Sequence, residues 1–132
     1  MNTKIVMTAS SITLGITGIA LTFVPDEIMK SMGFQDNITL VYLLQIIGSL
    51  YFAFAMLNWM TKSSLIGGIY NRPIAVANFT HFLIAGLALS KGFIYNPNLT
   101  SLIAITGIIY VVFAVLFGII LFTHPISSSK TV

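Results

Sequence analysis

Few residues in this chain could do chemistry, and most of them lie in apolar surroundings. His81 follows Asn78 by three residues, and Ala85 and Ala88 continue the same face at helical spacing. Gln45 and Ser49 form an i, i+4 polar pair in a second apolar stretch, and Thr13 lies in a third. Two readings of this intramembrane cluster stand side by side. In the first, a neutral His81 hydrogen-bonds to Thr13, Gln45 or Ser49 and ties helices together, worth roughly 0.6 kcal/mol. In the second it is a working group, because an ionisable side chain inside a membrane marks a site.

A second set gathers at the ends of apolar stretches: Asn58, Trp59, Lys62, Tyr70, Asn71 and Arg72, beside the pair Gly67-Gly68. Arg72 and Lys62 could grip a lipid phosphate or a carboxylate in an anionic pocket. The same residues also suit an ordinary membrane boundary, with Trp and Tyr in the aromatic belt and bases snorkelling.

Other chemistry is missing. Cysteine is absent, and Asp26, Glu27 and Asp36 all fall in one connecting segment. No nucleophile, base and acid come together in sequence, and one histidine without an intramembrane carboxylate makes a poor proton relay and a worse metal site. No catalytic residue, metal or cofactor is expected, and an enzyme, perhaps quinone-linked, is the least favoured class.

The elements that must position these residues follow from composition. The 132 residues are 57% hydrophobic and 7% charged, where a soluble domain would carry about 25% charged residues. Mean hydropathy is +0.99. The net charge of +3 is spread without a basic cluster, which argues against nucleic acid. The expected partners are the lipid bilayer, a lipid-like ligand, other membrane subunits or further copies of the chain.

About 20 apolar residues cross the hydrocarbon, and four stretches qualify: Ile5–Val24, Leu40–Met60, Ile74–Leu89 and Leu99–Phe122. A cleavable leader is not expected in the first, whose small residues lie inside the span. Pro25-Asp26-Glu27 starts a short helix over about 26–33 that Gly33 ends and that should lie in the interface. Pro73 opens the third span, Asn96-Pro97 turns into the fourth, and 127–132 form a polar tail. The expected fold is all-α, an integral membrane four-helix bundle in one domain over 1–126. Lys4, Lys62, Arg72 and Lys130 fall on one side, Lys30 and Lys91 on the other. That asymmetry puts both termini in the cytoplasm, in a bacterial inner membrane.

The halves also resemble each other. Ile16–Thr22 matches Ile84–Ser90, and Gly48, Tyr51, Phe54, Ala55 and Leu57 recur as Gly107, Tyr110, Phe113, Ala114 and Leu116. The repeat unit is then a helical hairpin, and two tandem copies would be related by a pseudo-two-fold axis along the membrane normal.

The plan of four spans, Pro25 and a short amphipathic segment after the first, and glycines in the second and fourth resembles the DoxX-like group of small bacterial membrane proteins. Gly18, Pro25, Gly33, Gly48, Tyr51, Gly107 and Tyr110 carry the resemblance. It implies an accessory role, since some members are subunits of membrane oxidoreductases that work with quinones. The sequence therefore predicts a non-enzymatic bundle that binds a lipid-like or apolar ligand or serves a membrane complex. The alternative is a small transporter or channel with a polar pathway past His81.

Overall fold

The computed structural model describes residues 2–64, 71–96 and 100–123, and among them all regular structure is helical. The helices are α1 (Thr3–Phe23), α2 (Pro25–Ser31), α3 (Ile38–Thr61), α4 (Arg72–Tyr95) and α5 (Ser101–Thr123). Four of them, α1, α3, α4 and α5, are long and apolar enough to cross a membrane. Their exposed surface is studded with large apolar side chains such as Ile46, Leu50, Ile84 and Ile108, which water would penalise and hydrocarbon accommodates. The chain is a helical membrane protein.

Local chemistry sets the helix ends. Asn37 caps α3, its side-chain oxygen accepting from the backbone N–H groups of Thr39 and Leu40. Pro25 and the acids Asp26 and Glu27 occupy the first turn of α2, where a missing N–H and negative charge are both favourable. Gly33 terminates it at φ +80°. The Gly33 N–H donates to Lys30 and the Phe34 N–H to Met29, the double bond of a Schellman cap.

Among the helix ends that differ from the sequence expectation, those of two helices have a clear cause. The short helix starts at Pro25 and ends at Ser31, because Gly33 is the left-handed residue beyond it. The third long helix does not stop at Leu89 but continues through Ser90, Lys91 and Gly92 to Tyr95. Hydrocarbon ends where polarity begins, whereas a helix ends only where its backbone bonding does.

The chain divides into two compact units, one over Met7–Lys62 and one built on α4 and α5 with the residues before Met7. In the first, α1 and α3 form a hairpin, and α2 turns back onto α3. The backbones meet at glycine: a Cβ on Gly18 would lie 2.7 Å from the Phe52 nitrogen and 2.8 Å from the Gly48 carbonyl oxygen. In the second unit α4 packs along α5. There Gly86 comes against Val111, with 3.3 Å between an added Cβ and the Val111 nitrogen.

Candidate functional site

Buried residues of α1 and α4, the first long helix of each hairpin, recur at matching positions. On α1 the buried residues include Met7, Ser10, Leu14 and Gly18; on α4 they are Ala75, Asn78, Phe82 and Gly86. The halves aligned at Gly18 and Gly86 put these four pairs in register. On α3 Gly48, Ala55 and Asn58 are buried, and their counterparts Gly107, Ala114 and Phe117 on α5 are buried too.

This face is turned relative to the stripe read from sequence. Of Asn78, His81, Ala85 and Ala88, only Asn78 is fully buried, and Ala88 is exposed. Phe82, which lies outside that stripe, is fully buried. Its ring stacks on Phe113 at 4.8 Å and on Phe117 at 5.7 Å, with Tyr110 edge-on at 5.2 Å. Lipid competes for apolar side chains, and close ring packing lets Phe82 join the small and polar residues Ala75, Asn78 and Gly86 on the inward face.

His81 borders this aromatic cluster. Its ring lies 5.2 Å from Phe82 and 5.6 Å from Tyr110, and it is half-buried. Asn78 donates to the Ile74 carbonyl one turn back. The other members of the predicted intramembrane cluster belong to the first hairpin. Thr13 bonds to the Ala9 carbonyl and Ser49 to the Ile46 carbonyl, each on its own helix. Gln45 crosses to α1 and donates to the Thr22 carbonyl at 3.3 Å.

Two buried polar contacts join α1 and α3 that the spacing of His81 and Asn78 does not point to. Asn58 Nδ2 donates to Ser10 Oγ at 3.1 Å, and both side chains are fully buried. Beside it Ser11 donates to the Ala55 carbonyl at 2.7 Å. The spacing held the signal: Gly48, Ala55 and Asn58 lie at i, i+7 and i+10, one face of α3.

The second predicted set divides between the hairpins. Asn58 is committed to the interior of the first. Trp59, exposed, carries the Lys62 ammonium 2.9 Å from its ring centroid, a cation–π pair that shields the base at a membrane boundary. Asn71 and Arg72 begin α4, where the Asn71 carbonyl accepts from Ile74 and Ala75. Tyr70, with Gly67-Gly68, lies outside the described residues. Among those residues no three of His, Asp and Glu come together as metal ligands.

Comparison with protein-family models, with curated proteins and with solved structures yields no match.

Proposed function

We propose that this protein is a pair of tandem helical hairpins that acts without catalysis. It holds an apolar or lipid-like ligand in the membrane, alone or as an accessory subunit of a larger complex. The hairpins are related by a pseudo-two-fold along the membrane normal, both termini are cytoplasmic, and the membrane is a bacterial inner membrane. The duplication is supported by matched contacts. In the first hairpin an added Cβ on Gly18 would meet the Phe52 nitrogen, and one on Gly48 the Thr22 nitrogen. In the second, Gly86 meets the Val111 nitrogen and Gly107 the Ser90 nitrogen. Aligning the repeats puts Phe52 on Val111 and Thr22 on Ser90, so chemically different residues make the same contacts.

One observation carries the ligand reading. The hollows between α4 and α5 have apolar walls, while Thr13 and Ser49 turn their hydroxyls back to their own helices. A hydrated pathway would need polar groups facing open space. The test is to purify the full chain in mild detergent, exchange the detergent, and weigh what remains bound. Retention of a stoichiometric apolar or lipid species, unchanged in His81→Gln, is expected. Loss of every bound species, or solute flux in liposomes that His81→Gln abolishes, would replace this reading by the transport one.

A further inference from the structure

One of the differences between the two hairpins leaves a hollow. In the first, Gln45 reaches across the crevice beside Gly48 to the Thr22 carbonyl, and α2 turns back with Pro25 and Met29 buried. In the second, the matching positions hold Ala104 and Ser90, and α4 runs straight on to Tyr95. With a methyl group where the other copy has an amide, the crevice stays open as a groove of about 370 Å³. Gly107, Phe93, Ile94, Ile108, Val111 and Val112 are among the residues that line it. A further hollow of about 190 Å³ shares Val111 and extends toward Phe79 and Gly118. The first volume alone falls in the range of roughly 300–1,000 Å³ typical of small-molecule sites.

Charge lies beside this groove, on the turn of α4 between Ser90 and Phe93. Lys91 follows Ser90 of the groove wall, is exposed, and holds its ammonium 5.9 Å from the Tyr95 ring. Along α4 it stands about 28 Å from Arg72 at 1.5 Å per residue. That separation is close to the ~30 Å of bilayer hydrocarbon, so both bases fall at headgroup level. From Ala104 to Val112 the groove follows about 12 Å of α5, within the roughly 15 Å of one leaflet.

We infer that the α4–α5 groove is a site for one acyl chain of an anionic phospholipid, whose phosphate meets Lys91. The inference rests on the apolar-ligand reading above and gives it a place and a chemical class. A polar solute would leave its hydrogen-bonding groups unpaired against these walls. A zwitterionic lipid brings a phosphate already neutralised by its own ammonium. An anionic one complements the lysine, whose flexible stem lets it reach the groove rim.

The experiment uses the full chain in nanodiscs doped with phosphatidylglycerol or phosphatidylcholine carrying an acyl-chain diazirine. After irradiation, peptide mass spectrometry maps the adducts. With phosphatidylglycerol, adducts at Ile94, Ile108 and Val112 should exceed those at the exposed α3 residues Ile46 and Leu50 by about tenfold, or ~1.4 kcal/mol. Ala104→Gln rebuilds the plug of the first hairpin, and Ala104→Phe fills the space without polarity. Either should bring groove labelling down to the α3 level while α3 labelling and helicity hold. Lys91→Gln should remove the preference for phosphatidylglycerol over phosphatidylcholine. Equal labelling of α3 and the groove, groove labelling indifferent to both Ala104 variants, or no headgroup preference in the unaltered chain would overturn the assignment. If the groove labels like α3 while a lipid still co-purifies, this site fails and the broader ligand reading stands.

Discussion

Asn58 and Ser10 meet in the interior of the first hairpin, amide nitrogen to hydroxyl oxygen at 3.1 Å. Neither side chain has any exposed surface. Ser10 in turn donates to the Met7 carbonyl, so the amide is tied through the hydroxyl to the backbone of α1. In hydrocarbon such a chain matters because a stranded amide has no water to turn to.

Asn58→Leu should therefore destabilise the protein by roughly 0.6 kcal/mol and by no more than about 1.7, the average and the maximum for interhelical bonds in membranes. Unfolding in mixed micelles with rising denaturing detergent reads the loss. A double-mutant cycle with Ser10→Ala should return a coupling of roughly 0.6 kcal/mol. Additive losses would show that the pair does not act as one unit.

The glycines of the two hairpins should respond differently to the same methyl group. At Gly18 a Cβ would press on the backbone of Phe52 and Gly48 at under 3 Å, and backbone cannot step aside. Overpacking of this kind costs roughly 1–3 kcal/mol, more than the ~1 kcal/mol that alanine gains in helix propensity. At Gly86 the nearest atom, the Val111 backbone nitrogen, is 3.3 Å away, so the helices need part by only a few tenths of an ångström. Gly18→Ala is expected to destabilise, and Gly86→Ala to cost clearly less, in the same micelle titration. Equal losses at both would mean the second hairpin is as tightly closed as the first.

The absence of cysteine makes topology directly measurable. Single cysteines at Asn37, ahead of α3, and at Ser64, beyond it, should react with an impermeant maleimide from opposite sides of the membrane. With the proposed orientation, only the Asn37→Cys chain should label in intact cells. Labelling of both from one side would deny that α3 crosses.

Much of this architecture can be read in advance, and the reason is the solvent. A bilayer demands about 20 apolar residues per crossing, so α1, α3, α4 and α5 announce themselves by length. The end of α4 was hidden because Ser90, Lys91 and Gly92 mimic a boundary, although the backbone there keeps its helical bonds. Which face turns inward was less legible. Asn78, His81, Ala85 and Ala88 share one stripe in sequence, yet the buried face of α4 turns to Ala75, Asn78, Phe82 and Gly86, with Phe82 stacked on Phe113 and Phe117. The Ser10–Asn58 bond went unnoticed because Asn58 neighbours Trp59 and Lys62 in sequence, while a helix carries its side chain in another direction. Ala104 could not stand out by itself; only its correspondence to Gln45 shows what it lacks.

The close backbone contacts at Gly18 and at Gly86 each lie within one hairpin, and this bears on how the protein is made. By the time Ser64 has left the ribosome, a nascent chain carries both surfaces of the Gly18–Gly48 contact and both partners of the Ser10–Asn58 bond. It can seat its first two long helices in the bilayer as a matched pair before the residues of α4 have been translated. The second pair brings its own glycines and its own ring stack. Biogenesis can thus proceed in two instalments, each burying its polar atoms as it enters, with no lone span left waiting in lipid for a companion synthesised much later.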